Sequence, residues 1–232
     1  MRVVVVGGVA GGMSAAARLR RRDEGAEIIV LERSKYVSFA NCGLPYYVGG
    51  EIEDPAKLLL HTPNTLKAAL NLDVCINSEV TAINPGAHSV QVTDTETGEA
   101  YTLTYDHLIL SPGALASRPP IDGLDSPRVH TLRTVDDALA LREASGTRAV
   151  VLGAGFIGIE AVEALAHRGF ETHLVEYAEH VLPPLEVEMA TLVTQELRGL
   201  GVHVHAGVAA QSITHGDDHD AVTLSDGTVL SA

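Results

Sequence analysis

Two short runs of consecutive apolar residues, mostly β-branched, stand near the start of the chain at residues 3–6 and 28–31. A cluster of glycines and an alanine-rich apolar stretch at residues 13–22 separate them. Unbroken apolar runs of this length are typical of strands buried on both faces of a parallel sheet. The pattern therefore predicts a strand, a helix and a second strand, which ends at Glu32.

The same pattern returns in the second half of the chain. An apolar run at residues 149–152 and a predicted strand at residues 172–175 flank a glycine cluster and an apolar helical stretch at residues 159–167. The second of these strands ends at Glu176. Two such units in one chain predict an α/β fold made of two Rossmann-like, three-layer units.

The segment between the two units is predicted to be mostly β-structure. The predicted strands are residues 74–76, 79–83, 89–93, 100–104 and 108–110, the third and fourth of which form a hairpin. A proline-rich turn at residues 117–120 marks the best domain boundary. We therefore expect a first domain over residues 1–115 and a second over residues 116–232.

Both glycine clusters are candidates for nucleotide binding. Glycine permits a tight turn and lets the backbone approach a pyrophosphate, which the N-terminus of the following helix attracts. Glu32 and Glu176 follow the first glycine of their turns by 25 and 23 positions, where an acid accepts hydrogen bonds from a ribose. A tight strand–helix turn without ligand is the alternative interpretation. The candidate residues are Gly7, Gly8, Val9, Ala10, Gly11 and Gly12 in the first turn, where Val9 replaces the usual second glycine, and Gly153, Gly155, Phe156, Ile157 and Gly158 in the second.

Composition narrows the possible functions. The 232 residues carry a formal net charge of −14, which argues against binding to nucleic acid or to an anionic membrane surface. No apolar run approaches the length of a membrane span. Two cysteines do not make a disulfide framework, and we expect a cytoplasmic protein.

Five segments occur together in an informative order: GGVAGG, SFANCGLPYYVGG, YDHLILSPGA, LRTVDDA and VLGAGFIGIEAVEAL. Together they resemble the pyridine nucleotide-disulfide oxidoreductases that use a single cysteine, and among these the coenzyme A disulfide reductases most of all. The resemblance implies FAD on the first unit and NADH or NADPH on the second. It further implies that electrons pass from the nicotinamide to the flavin and then to sulfur.

Cys42 is the cysteine of the second segment, and no second cysteine follows it closely. Cys75 lies in a predicted strand and is expected to be a core residue. The sulfur that pairs with Cys42 would therefore come from a small-molecule thiol, unless Cys42 cycles through sulfenic acid. Asn41 is a plausible N-cap and Pro45 fits a first helical turn, so that Cys42 would lie at a helix N-terminus, which favours the thiolate.

The resemblance also implies roles for individual residues. Ser38 and Asn41 would line the substrate sulfur, whereas related peroxidases and oxidases carry serine in place of Asn41 and histidine in place of Ala10. The expected coenzyme A contacts are Ser14, Arg18 and Arg21 on the first helix, with a solvated amphipathic face as the alternative. The expected FAD contacts beyond the glycine turn are Glu32, Arg33, Val80, Ser111, Pro112, Gly113 and Arg133.

For the nicotinamide cofactor, Glu160 matches a glutamate near the nicotinamide, although an ordinary helix-start charge is the alternative. Glu176, with no arginine close behind it in sequence, favours NADH over NADPH.

By the same resemblance, a further FAD segment and a dimerisation domain would follow Ala232, and the full-length protein would be a homodimer. Three functions stay open. They are a flavin-dependent reductase of coenzyme A disulfide or persulfide, an NADH oxidase or peroxidase, and a non-catalytic nucleotide-binding fragment. No metal site is expected.

Overall fold

The computed structural model describes residues 1–232, which pack as two compact units. The first comprises Met1–Ala40 and Ala56–Leu115, and the second comprises Asn41–Pro55 and Ala116–Ala232. The chain passes to the second unit for good after Leu115, close to the proline-rich turn. The segment Asn41–Pro55, which the sequence pattern grouped with the first domain, packs within the second unit.

The first unit contains a parallel sheet and an antiparallel sheet. Its strands are β1 (Arg2–Val6), β2 (Glu27–Leu31), β3 (Asp73–Cys75), β4 (Ser78–Asn84), β5 (Ser89–Asp94), β6 (Ala100–Thr104) and β7 (His107–Leu110), and its helices are α1 (Ala10–Arg22) and α3 (Pro63–Leu70). The parallel strands lie in the order β3-β2-β1-β7, and the antiparallel strands in the order β4-β5-β6. The predicted hairpin is thus confirmed as β5 and β6.

Alternation along β1 explains the layering of this unit. Val3 and Val5 pack with Met13 and Ala16 of α1, whereas Val4 packs against the antiparallel sheet through residues such as Val90. All six side chains are at least nine-tenths buried. A strand covered on both faces needs an unbroken apolar run, which is the pattern that the sequence shows.

The second unit repeats this architecture. Its strands are β8 (Arg148–Leu152), β9 (Glu171–Glu176), β10 (His203–Ala206), β11 (Ala210–Thr214), β12 (Ala221–Leu224) and β13 (Val229–Ser231), and its helices are α2 (Leu44–Gly49), α4 (Val135–Glu143), α5 (Phe156–His167) and α6 (Val187–Gly199). The parallel sheet has the order β10-β9-β8, and the antiparallel sheet has the order β11-β12-β13. Leu174 faces α5 and α6, and Val175 faces the antiparallel sheet.

The predicted fold class is therefore confirmed, with helix, parallel sheet and antiparallel sheet as the three layers of each unit. Both glycine-turn helices begin three residues earlier than predicted, at Ala10 and Phe156 instead of residues 13 and 159. None of the helices combines the length and apolar character that a membrane-spanning helix requires.

Candidate functional site

The first glycine turn connects β1 to α1 and depends on missing side chains. Gly7 has a φ of 100°, and a Cβ there would lie 2.0 Å from the carbonyl oxygen of Ser111. A Cβ on Gly12 would lie 1.8 Å from the carbonyl oxygen of Gly7. Real Cβ atoms do not approach backbone so closely, and φ in this region disfavours L-residues. The turn therefore requires glycine at both positions. At Gly7 the reason is its close approach to the backbone of Ser111, and at Gly12 it is the close approach to Gly7.

Glu32 fixes the same turn to the end of β2. Its carboxylate oxygen Oε2 accepts the N–H of Gly8 at 2.7 Å, and Oε1 accepts the N–H of Ser34 at 2.9 Å. The residue is only 7% exposed. Charge-assisted hydrogen bonds of this kind are shorter and stronger than neutral ones. Glu32 thus holds the turn in place while presenting a carboxylate at the carboxyl end of the sheet.

The second turn has the same geometry. Gly153 has a φ of 99°. A Cβ on Gly158 would lie 1.9 Å from the carbonyl oxygen of Gly153. Glu176 accepts the N–H of Ala154 at 2.7 Å and that of Ala178 at 2.8 Å. Both predicted acids therefore share one structural role, and they follow the first glycine of their turns at similar distances of 25 and 23 positions.

The helices that follow the two turns lack side-chain caps. Val9 precedes α1 and Gly155 precedes α5, and neither provides a side-chain hydrogen bond to its helix. The first N–H groups of a helix have no intrahelical partner and carry partial positive charge. At α5, Phe156 and Ile157 are 64% and 54% exposed. Both helix ends can therefore receive an anionic group such as a pyrophosphate.

Ser111 brings a third element to the first turn. Its N–H donates to the carbonyl oxygen of Val6 at 2.8 Å, and its Oγ would be 3.3 Å from a Cβ on Gly11. The next two predicted residues, Pro112 and Gly113, are exposed. The first turn, Glu32 and Ser111 therefore meet at one edge of the parallel sheet of the first unit.

Cys42 is exposed and lies in a single 3-10 turn, Asn41–Gly43, which leads into α2. The predicted N-cap at Asn41 is wrong. Helix α2 begins at Leu44, its cap position is Gly43, and there is no side-chain cap. The Oδ1 atom of Asn41 is instead buried without a hydrogen-bond partner. The prediction for Pro45 is confirmed, because it lies in the first turn of α2, and Gly50, with a φ of 101°, ends the helix.

Helix α2 is held by the second unit. A Cβ on Gly49 would lie 3.3 Å from Ala164 of α5, so the two helices approach closely at this glycine. Arg142 of α4 donates to the carbonyl oxygen of Val48 at 3.2 Å. These contacts position the turn that carries Cys42, and they could not be predicted from the sequence.

Ser38 precedes this segment and belongs to the first unit. Its φ of 50° is in the left-handed region, which costs about 1–2 kcal/mol for a residue with a Cβ. Its N–H donates to the carbonyl oxygen of Gly8 at 2.8 Å. Strained backbone that the surroundings hold in place is common at functional sites.

Cys75 differs from Cys42 in its environment. It ends β3, and its backbone oxygen accepts the N–H of Glu32 at 2.9 Å. Both cysteines are free thiols. Burial, together with the negative charge of Asp73, raises the pKa of the Cys75 thiol. Cys75 therefore stays protonated at neutral pH and is a poor nucleophile.

The remaining predicted residues lie as follows. Ser14, Arg18 and Arg21 share one exposed face of α1, since they are four and three residues apart. Their neighbour Arg20, which sequence reasoning missed, is buried and donates to four carbonyl oxygens, among them that of Leu70 at 2.9 Å. In the first unit, Arg33 is exposed and Val80 is half-buried in β4. In the second unit, Arg133 precedes α4 and Glu160 is half-exposed on α5.

Known proteins share this arrangement. The coenzyme A disulfide reductase of Staphylococcus epidermidis is 35% identical over 231 residues, which are 98% of this chain and 51% of that protein. The structure of reduced CoADR-RHD from Bacillus anthracis superposes with a TM-score of 0.94 at 42% identity, over 99% of this chain and 42% of that one. The NAD-dependent persulfide reductase from A. fulgidus gives a TM-score of 0.95 at 36% identity, over 100% of this chain and 44% of that one.

The chain spans about half the length of the curated relatives it matches. All of its residues, 1–232, match the family described as pyridine nucleotide-disulphide oxidoreductase. The family predicted from the five sequence segments is thereby confirmed, and the protein belongs to the pyridine nucleotide-disulphide oxidoreductases.

Proposed function

We propose that the full-length protein uses NADH or NADPH to reduce a small-molecule disulfide or persulfide, with Cys42 as its redox-active residue. The observation that carries this proposal is an exposed, unpaired thiol in a chain that also has two nucleotide-type turns. The relatives named coenzyme A disulfide reductase and persulfide reductase support the class of substrate.

The first unit fits an FAD site. Its uncapped helix α1 would bind the pyrophosphate, and Glu32 would accept hydrogen bonds from a ribose on the lone pairs that Gly8 and Ser34 leave free. The cradle is open because Ala10 and Gly11 are small and exposed. The chemistry that FAD supplies when bound is two-electron transfer between a nicotinamide and sulfur.

The second unit fits the nicotinamide cofactor. Gly155 has no atom within 4 Å of where its Cβ would be, so space is open in front of α5. Glu176 is held at the end of β9 by two backbone N–H groups and would repel a 2′-phosphate. We therefore assign NADH as the preferred donor, with Glu160 near the nicotinamide.

Cys42 would act by thiol–disulfide exchange. Its thiolate attacks one sulfur of the substrate disulfide, that S–S bond breaks, and one thiolate leaves while the other half stays bonded to Cys42. Two electrons from the reduced nicotinamide would then break this mixed disulfide, which releases the second half of the substrate as a thiolate and regenerates the Cys42 thiolate. The buried, unpartnered Oδ1 of Asn41 gives a polar acceptor next to the reacting sulfur in sequence, and Ser38 is the second proposed contact.

The face of α1 that carries Ser14, Arg18 and Arg21 is proposed to bind the phosphates of coenzyme A. Guanidinium groups pair with phosphate through charge-assisted hydrogen bonds. Both arginines are exposed in a chain of net charge −14. They form a local positive patch, which would attract the phosphate groups of a phosphorylated thiol.

The test compares Cys42→Ser with Cys75→Ser in the full-length protein. NADH-dependent release of thiol from coenzyme A disulfide, coenzyme A persulfide, cystine and glutathione disulfide is measured. We expect Cys42→Ser to lose thiol release while the bound flavin is still reduced by NADH, since that step needs no sulfur. Cys75→Ser should keep thiol release and cost only about 1 kcal/mol of stability.

Three outcomes would contradict the proposal. If Cys42→Ser still reduces disulfides, the sulfur path is wrong. If the wild-type protein consumes oxygen with NADH but releases no thiol, the protein is an NADH oxidase and not a disulfide reductase. A colourless protein that binds NADH without turnover would identify a nucleotide-binding module.

A further inference from the structure

Three histidines meet on one face of the parallel sheet in the second unit. His173 of β9 is in register with His203 of β10, and His205 is two residues further along β10 on the same face. The ring centroids of His173 and His203 are 4.7 Å apart, and those of His173 and His205 are 5.3 Å apart. None of these residues belongs to the glycine turn or to the segment of Cys42.

The two nitrogens of His173 have different surroundings. Its Nδ1 is 3.0 Å from Nε2 of His205, within hydrogen-bond distance. Its Nε2 faces the carboxylate of Glu171, with 3.7 Å between the nitrogen and Oε1, too far for a hydrogen bond. When Nδ1 donates its proton to His205, the lone pair of Nε2 is free and points toward an anionic oxygen.

We propose that Glu171, His173 and His203 bind a divalent transition-metal ion of the zinc type, with His205 as a positioning residue. One ligand atom from each of the three lies within 4.8 Å of the others. Imidazole nitrogens with one carboxylate oxygen are a common donor set for zinc. This proposal is independent of the function proposed above.

The spacing of the donors fits such an ion. With zinc–nitrogen and zinc–oxygen bonds of about 2.1 Å, the 3.7 Å between His173 Nε2 and Glu171 Oε1 corresponds to an angle of roughly 120°. The ligand atoms of all three residues lie within 4.8 Å of one another. Two zinc bonds of about 2.1 Å span at most about 4.2 Å, so a donor beyond that span would have to move closer on binding, which the exposure of His203 and Glu171 permits. Water would complete the coordination.

The chemistry of the donors favours coordination. Neutral imidazole is the form of histidine that binds a metal ion, because its unprotonated ring nitrogen has a lone pair to donate. The carboxylate of Glu171 supplies negative charge at the site.

The role of His205 follows the usual pattern of metal sites. A metal-bound histidine normally donates its other ring N–H to an acceptor, which fixes its tautomer and orientation. His205 Nε2 is placed to accept from His173 Nδ1. His173 lies on β9, the central strand of its sheet, and His205 lies on the neighbouring strand β10.

The experiment titrates the 232-residue chain with zinc sulfate at pH 7 by isothermal titration calorimetry, with circular dichroism as the check on folding. We expect one equivalent of zinc in the wild type and none in His203→Ala or Glu171→Gln, both changes at exposed positions. His205→Gln should bind about 10- to 100-fold more weakly. Cobalt should give the absorption of a low-coordinate site that His203→Ala lacks.

Two control variants make the result specific. His61→Ala removes an exposed histidine of the first unit. Cys42→Ser removes the exposed thiol, which could itself bind zinc. Both should keep the full equivalent. The proposal is overturned if the wild type binds no zinc, if His203→Ala keeps it, or if Cys42→Ser loses it.

Discussion

Replacing Gly155 with alanine separates the nucleotide site from the fold of its turn. Gly155 has φ −75° and ψ −178°, an extended conformation that alanine adopts freely, and no atom lies within 4 Å of its Cβ position. By contrast, a Cβ on Gly158 would lie 1.9 Å from the carbonyl oxygen of Gly153 and would force the turn apart. The Gly155→Ala protein should therefore fold, with a cost of at most about 1 kcal/mol at the cap of α5.

The new methyl group would stand where a pyrophosphate approaches the helix. A hydrogen bond from a backbone N–H to a charged phosphate oxygen contributes about 1.5–3 kcal/mol. Loss of one such bond corresponds to roughly 10- to 150-fold weaker binding of NADH. We expect the dissociation constant of Gly155→Ala to rise within this range while its circular dichroism stays native.

The matched control is Gly199→Ala, which adds the same methyl group to α6. No atom lies within 4 Å of that Cβ position either. It should stabilise the protein by about 0.5–1 kcal/mol, because alanine loses less chain entropy in a helix, and it should leave NADH binding unchanged. Fluorescence titration with NADH measures all three proteins. If Gly155→Ala binds NADH as tightly as the wild type, the pyrophosphate does not lie on this turn and the reasoning is refuted.

Two further predictions concern specificity. Because Ala154 and Ala178 hold the carboxylate of Glu176 at the end of its strand, kcat/KM should favour NADH, and a preference of about tenfold for NADPH, roughly 1.4 kcal/mol, would contradict this. If Arg18 and Arg21 bind the phosphates of coenzyme A, changing both to alanine should raise KM for coenzyme A disulfide far more than for cystine. An equal rise in KM for the two substrates would indicate that these arginines belong to an ordinary solvated helix face and do not bind coenzyme A.

Local pattern sufficed for strands β1 to β9 and for both glycine turns, whereas strands β10 to β13 were not predicted. The apolar runs, the glycines and the acid at the end of the second strand lie close together in sequence, so their periodicity and spacing carry the information. The starts of α1 and α5 were predicted three residues late. Glycine has a low helix propensity. Gly12 and Gly158 nevertheless lie within these helices, because each approaches the backbone of its turn so closely that a Cβ would not fit.

The surroundings of Cys42 show where sequence reasoning ended. Asn41 is a common cap residue, yet the chain makes a 3-10 turn and the helix begins only at Leu44. Contacts of α2 with Ala164 and Arg142, more than ninety residues away, hold this helix. Such long-range packing outweighs the modest energy of a cap, about 1 kcal/mol.

The sequence by itself determined the fold class, the family, the two glycine turns and the exposed cysteine, because each is recognised from short segments of consecutive residues. Only the tertiary structure brought together the groups that lie far apart in the chain. His173 meets His203 and His205 through the register of adjacent parallel strands. Parallel strands are joined by long crossovers, so their register follows from packing of both sheet faces and leaves no local signature.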